Sequence, residues 1–131
     1  MSIREKIQNL KLEDTQSREI VKKFFHDFCT ALQDRVFGTT ASNGRFYLEQ
    51  GFSTNYGLQS KVVVRIENPP YQDVFFRFYV PLAGFPVVLD LWDEELTACD
   101  DLDQLEDKLS NFLDNPEVLA RLTGYSEIVR S

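Results

Sequence analysis

The chain is poor in the residues that build metal sites and nucleophilic centres. It has one histidine, His26, and two cysteines, Cys29 and Cys99, among 131 residues. A single histidine excludes a two-histidine metal site or a histidine pair within one chain. The cysteines are far apart and form no CxxC pattern, so neither a disulfide framework nor a zinc or redox motif is predicted. We expect two small buried thiols, a solvated His26, no catalytic residues and no metal or other cofactor.

Long apolar runs are also missing. No window approaches the roughly eighteen unbroken apolar residues that a membrane span needs, and residues 1–6 lack the apolar core of a signal peptide. The expectation is a cytoplasmic protein with no membrane contact. A length of 131 residues with 43% hydrophobic and 27% charged residues fits a single globular domain over residues 1–131.

Positive charge is scarce in the last third of the chain. The net charge of −7 divides into +2 over residues 1–45, 0 over 46–89 and −9 over 90–131. Residues 90–107 hold nine acids and no Lys or Arg. Because a phosphate backbone requires a basic face, direct nucleic-acid binding is not expected. The polarity indicates a basic protein partner, or a homodimer that pairs the basic and acidic ends.

In the first part of the chain, apolar residues recur at the spacing of a helix. Ser2 and Glu5 have the spacing of a capping box that starts a short helix. From near Thr15 apolar residues recur at three- and four-residue steps, and Gly38 supplies a stop. Residues 1–13 are either a separate short helix or arm, or the start of one long helix.

A second helical region follows the acidic run. Asp100 or Asp101 is predicted to cap a helix with a narrow leucine stripe. Asn115 and Pro116 are predicted to be the N-cap and the first residue of another helix, and Gly124 is predicted to end it.

Between the two helical regions the apolar period is two. Strands are predicted over 45–52, 61–67, 74–80 and 86–92, with a short fifth over 96–99. The connections are short and rich in turn residues, which favours antiparallel hairpins. The predicted architecture is therefore a single α+β domain, an antiparallel sheet of four to five strands with the N-terminal and C-terminal helices on one face.

One turn contains the tetrapeptide Asn68-Pro69-Pro70-Tyr71. The four residues resemble the active-site loop of amino-group DNA methyltransferases, in which Asn and Pro hold the target amine and the aromatic ring stacks on a flipped base. Those enzymes also need a glycine-rich loop on a doubly wound domain, and no GxG pattern occurs upstream. A Pro-Pro hairpin turn explains the tetrapeptide more simply.

The predicted outer face of the sheet is richer in aromatic and apolar residues than a solvated face would be. Strand alternation places Tyr47, Phe75, Arg77, Tyr79 and Trp92 there, and residue types of this kind are enriched at the centres of interfaces. Cover by a loop or by the N-terminal helix of the same chain is one explanation, and a homodimer across this face or a peptide-binding groove is the other. The acidic run is interpreted mainly as helix N-terminal acids and a polar turn, with a patch for a basic partner or a divalent-cation site as alternatives. The acids beside Trp92 complete the predicted protein-binding site: Asp90, Asp93, Glu94 and Glu95.

Three functional hypotheses remain open. The first is a non-enzymatic protein-binding or regulatory domain that uses the aromatic sheet face and the acidic edge. The second is a small-ligand-binding protein or minor enzyme with a pocket between sheet and helices. The third is an acidic immunity, inhibitor or chaperone-like protein for a basic client, although residues 81–86 are too few to supply the helix that a secretion chaperone has between its third and fourth strands.

Overall fold

The computed structural model describes residues 2–10, 16–38, 43–92 and 95–130. These residues form an α+β domain, as the sequence predicts, with four helices and five strands in the described ranges. The elements are α1 (Ile3–Gln8), α2 (Gln16–Val36), β1 (Gly44–Thr54), β2 (Gly57–Ile66), β3 (Tyr71–Val80), β4 (Val87–Asp90), β5 (Thr97–Cys99), α3 (Leu102–Leu113) and α4 (Pro116–Arg130).

The strands form one antiparallel sheet in the order β1-β2-β3-β4-β5. Each strand pairs with its neighbour in sequence because the connections are too short for a crossover. Gly57 begins β2 with φ +116°, and a Cβ there would lie 2.5 Å from the carbonyl oxygen of Val80. Residues 67–70, which include the Asn-Pro-Pro segment, join β2 to β3 as a hairpin turn, as predicted.

The helix ends follow the local signals in the sequence. The Ser2 hydroxyl accepts from the Glu5 N–H, Asp101 caps α3 by accepting from the Gln104 N–H, and Asn115 accepts from the Glu117 N–H ahead of Pro116. α1 and α2 are separate helices, and the five residues 11–15 between them lie outside the described part of the chain. Every residue of α1 is exposed, whereas α2, α3 and α4 all contribute to the core.

The core lies between one face of the sheet, here called the inner face, and helices α2, α3 and α4. Phe25 of α2 stacks on Phe78 with ring centroids 3.7 Å apart, and Phe112 of α3 meets Phe75 and Phe76 at 5.5 and 5.6 Å. Burying a large apolar side chain contributes about 2 kcal/mol, so this aromatic cluster is a major part of the stabilising free energy.

A β-bulge in β3 changes the predicted direction of its side chains. Val62 pairs with Phe76 but Val63 pairs with Val74, so Phe75 is the extra residue. Both Phe75 and Phe76 are buried in the core cluster. The sequence-based placement of Phe75 on the outer face is therefore wrong, because strict alternation fails at a bulge.

Gly124 does not end the last helix. α4 continues to Arg130, and Tyr125, the residue after the glycine, is 2% exposed within the core. Burial of this aromatic ring outweighs the cost of about 1 kcal/mol for glycine inside a helix. Among the described residues, no helix has the length and apolar character to cross a membrane.

Both cysteines are buried and unpaired, as expected. Burial raises the pKa of the Cys29 thiol to about 12 from 9.0 and also raises that of Cys99. At mildly alkaline pH both should therefore react with Ellman's reagent far more slowly than an exposed thiol, and at once in concentrated guanidinium chloride. A Ser53→Cys variant, at the exposed end of β1, should add one fast thiol. Rapid native reaction of the wild type would contradict this burial.

Candidate functional site

The sheet has a second face, here called the outer face, that points away from helices α2, α3 and α4. Strand register assigns to it the side chains that alternate with the inner ones. They comprise apolar and aromatic residues, four cations and two acids: Arg45, Tyr47, Glu49, Gln59, Lys61, Val63, Arg65, Gln72, Val74, Arg77, Tyr79, Val88, Asp90 and Ala98.

The centre of the outer face is apolar and shielded. Val63 is 1% and Val88 is 8% exposed, although neither belongs to the core cluster that the helices build. Register places Val63 between Tyr47 and Val74, and Val88 beside Tyr79. Every buried residue of α2, α3 and α4 belongs to the inner cluster, so the core packing of these helices does not account for the burial of Val63 and Val88.

Charged residues border this apolar centre in an unfavourable order. Arg45 lies directly opposite Arg65, and Lys61 lies directly opposite Arg77. Like charges in directly opposed cross-strand positions are destabilising. Asp90 opposes Arg77, but the two side chains form no salt bridge within 4.0 Å. Arg65 already pairs with Glu67 at 3.3 Å, and Lys61 also lies opposite Glu49. Arg45 and Arg77 are therefore the cationic positions that a partner's carboxylates could neutralise.

The structure divides the predicted site residues among three places. Tyr47, Arg77, Tyr79 and Asp90 share the outer face, and the Tyr79 hydroxyl accepts from the Gln59 amide at 3.3 Å. Glu95 is exposed beyond the end of β4, whereas Asp93 and Glu94 lie outside the described residues. Phe75 and Trp92 lie on the helix side.

Trp92 is docked against the core instead of the outer face. Its ring meets Phe75 at 5.8 Å and Phe112 at 5.3 Å, and its indole N–H donates to the carbonyl oxygen of Phe75 at 2.6 Å. The Arg121 guanidinium of α4 covers the other side of the ring at 4.0 Å. β4 ends at Asp90, so alternation no longer applies at Trp92 and its predicted outward placement is wrong.

A polar cluster that the sequence did not indicate lies next to Trp92. The Tyr125 hydroxyl donates to Asp73 Oδ2 at 2.6 Å, and Arg121 Nη1 lies 3.8 Å from the same oxygen. Burial, and then the hydrogen bond to Asp73, raise the pKa of Tyr125; burial and the Asp73 charge also raise that of Tyr71. The cluster joins β3 to α4, and its donors and acceptor already satisfy one another, so it is interpreted as structural.

A groove runs along α2 over the inner face of the sheet and reaches the edge strand β1; it is here called the α2–β1 groove. Its deeper end has a volume of about 520 Å³ and lies over β1, β2 and β3, with an apolar floor that includes Phe25, Leu48 and Phe78 and with Arg18, Glu19 and Lys22 at the rim. Its second end, about 380 Å³, is lined by His26, Cys29 and Tyr47 and shares Lys22 and Leu48 with the first. A pocket between sheet and helices, one of the alternatives raised by the sequence, thus exists at this place.

Gln33 closes one end of the groove with an unusual contact. Its carboxamide nitrogen donates to the carbonyl oxygen of Gly44 at 2.7 Å, and its oxygen accepts from the Phe46 N–H at 2.8 Å. These are the two backbone groups that a neighbouring strand would pair. The amide therefore takes the place of a strand residue at the beginning of the β1 edge.

The described residues contain no group of three or more His, Cys, Asp or Glu side chains that could hold a metal ion. The described acids of the run 90–107 are dispersed: Asp90 is on the outer face, Glu95 follows β4, and the others precede α3 or belong to it, where Asp103 in the first turn lies near the positive end of the helix dipole.

Comparison with known proteins gives no relative for this chain: no family model, no curated protein and no solved structure matches it.

Tyr125→Phe should lower the free energy of unfolding by about 1.5–3 kcal/mol, because it removes a buried hydrogen bond to a carboxylate. The raised pKa of Tyr125 means that the folded state keeps its proton when the unfolded state loses one, so wild-type stability should fall as pH rises above 10.0, and the variant should lose part of that slope. Urea titrations at several pH values measure both effects. Tyr71→Phe, at a residue that is 39% exposed, is the control for the loss of stability at neutral pH. Equal losses for the two variants there would argue against the Asp73 bond.

Gln33→Ala should cost about 1–2 kcal/mol of unfolding free energy, because two backbone partners lose their hydrogen bonds. Alanine favours helices, so helix propensity cannot account for a loss. Denaturant titration beside Asp34→Ala, an exposed neighbour on α2, gives the comparison. If the two variants were equally stable, Gln33 would not tie α2 to the β1 edge.

Proposed function

We propose that this chain is a non-enzymatic protein-binding domain that holds its partner on the outer face of the sheet. One observation carries the proposal: an apolar centre at Val63 and Val88, bordered by tyrosines and cations, has no helix packed on it among the described residues. Tyr and Arg around an apolar centre are typical of interface cores. A cytoplasmic location remains part of this proposal.

The size of the face supports a protein partner. Strands of ten residues are about 33 Å long and five strands span about 19 Å, so even with the shorter β4 and β5 the flat area is roughly 500 Å². Side-chain relief makes the accessible area larger. A standard interface buries about 800 Å² per partner, which this face approaches.

The charge of the face favours a partner that brings carboxylates to its rim. Arg45 and Arg77 are exposed and form no salt bridge within the described residues, and a partner's acids would relieve the like-charge pairs that they make across the strands. A second copy of this acidic chain satisfies the requirement, which keeps the homodimer among the candidates. The basic partner predicted from residues 90–107 would instead bind at Asp90, on the border of this face, and at Glu95 beyond the end of β4.

Tyr79→Asp should abolish binding at the outer face, because it puts a charge beside the shielded Val88 and removes an aromatic contact. Sedimentation of the purified chain over a range of concentrations tests the homodimer, and affinity capture from native cells tests other partners. Leu119→Asp, at an exposed apolar position on α4, is the matched control. The proposal is wrong if the wild type neither self-associates nor retains a partner that Tyr79→Asp releases and Leu119→Asp keeps.

A further inference from the structure

Along β1, residues whose backbone groups bond to β2 alternate with residues whose backbone groups point out of the sheet. The Asn43 carbonyl accepts from the Glu67 N–H, so odd-numbered residues of this part of β1 bond to β2. Even-numbered residues direct their N–H and C=O groups to the outside of the sheet. Gln33 bonds to the first of these groups, on Gly44 and Phe46. The outward groups that follow belong to Leu48 and Gln50, before the register shift ahead of Ser53.

The remaining edge lies beside the α2–β1 groove. Gln33 meets Gly44 and Phe46, and Lys22 shares the groove with Leu48 and Gln50, so α2 runs antiparallel to β1. The eleven residues from Lys22 to Gln33 rise about 16 Å in a helix. Five strand residues rise about 17 Å. α2 crosses the sheet obliquely, because Phe25 stacks on Phe78 of β3 and a Cβ on Gly84, beyond β3, would lie 2.7 Å from the Arg18 nitrogen. Only the stretch of α2 from Lys22 to Gln33 therefore borders β1.

The side chains of α2 that face the groove recur with the period of an extended chain. Lys22 and His26 line the end of the groove beside β1 and are four residues apart, which is a step of about 6 Å along the helix. Alternate residues of a β-strand are about 6.6 Å apart. Two alternate side chains of a strand added to β1 would thus lie near Lys22 and His26.

We propose that the β1 edge binds an extended acidic peptide segment of another protein by β-strand addition, with carboxylates at alternate positions facing Lys22 and His26. Main-chain hydrogen bonds to Leu48 and Gln50 supply affinity, and the groove supplies specificity. Glu49 lies on the outer side of β1, opposite Lys61, and Glu19 lines only the deeper end of the groove. In a chain of net charge −7, a groove end that is lined by Lys22 and His26 and by no acid is a local reversal of sign. This site is separate from the outer face and does not depend on it.

The probe is a fluorescein-labelled peptide of about seven residues in which Glu alternates with Val and Thr. Its binding to the protein is measured by fluorescence anisotropy. Lys22→Glu should weaken binding about tenfold or more, because like charges are then opposed. Lys23→Glu is the matched control: Lys23 is 81% exposed and pairs only distantly with Asp27, at 4.0 Å. Leu48→Pro removes an outward N–H without removing a ladder bond to β2, so it should abolish binding.

Hydrogen exchange gives a readout that does not rely on any variant. Peptide binding should slow exchange of the Leu48 and Gln50 amides, which point outward, and leave the Tyr47 and Glu49 amides nearly unchanged because β2 already protects them. A peptide with Lys in place of Glu should not bind. Because Tyr79 lies on the other face, Tyr79→Asp should leave peptide affinity within about twofold, which separates this proposal from the one on the outer face.

Four outcomes would overturn the inference. The first two are equal affinity for the Lys peptide and unchanged hydrogen exchange of the Leu48 and Gln50 amides when the Glu peptide is added. The third is a homodimer that Leu48→Pro dissociates and that the peptide does not displace. The fourth is slower exchange of these amides with decanoate, a small amphipathic carboxylate, and not with the peptide. The third would assign the edge to a second copy of this chain, and the fourth would assign the groove to a small amphipathic ligand.

Discussion

The fold depends on one extra residue in β3. The bulge at Phe75 shifts the alternation of the strand by one, so that Asp73 before it and Phe76 after it both face the helices. The first half of β3 can then pack against α4 through Tyr71 and Asp73, while the second half packs against α2 through Phe76 and Phe78. A regular strand would have turned one of these halves to the outer face and left one helix without its partner.

The bulge also explains why Trp92 faces the core. The Phe75 carbonyl, at the irregular position, accepts the indole N–H, and the Phe75 ring lies against the indole edge-to-face. Arg121 then covers the exposed side of the same ring from α4. The residue that looked from the sequence like the centre of an aromatic interface is thus a connection between the end of β4 and the two C-terminal helices.

Features that depend only on neighbouring residues, such as helix caps, are predicted well from the sequence. Ser2, Asp101 and the Asn115-Pro116 pair cap the helices they were expected to cap, because a cap requires only a side-chain oxygen and the N–H groups one turn away. Prediction from the sequence fails for features that depend on packing between distant segments. Nothing local to Phe75 signals an extra residue in the ladder, and the stop signal of Gly124 is overridden by the burial of Tyr125.

The candidate surfaces follow the same division. Tyr47, Arg77, Tyr79 and Asp90 could be placed on one face by period alone, because they lie in regular stretches of strand. The β1 edge could not be predicted, since the approach of Gln33 depends on the relative position of α2 and the sheet.

The contact of Gln33 with the β1 edge protects part of that edge. An edge strand is a hazard because it pairs with any extended chain, and proteins usually block edges. Here the block covers the first pair of outward groups and then stops where the groove, its cations and Tyr47 begin. Partial protection of this kind restricts pairing to one register and to chains whose side chains suit the groove, which is the difference between a hazard and a selective site.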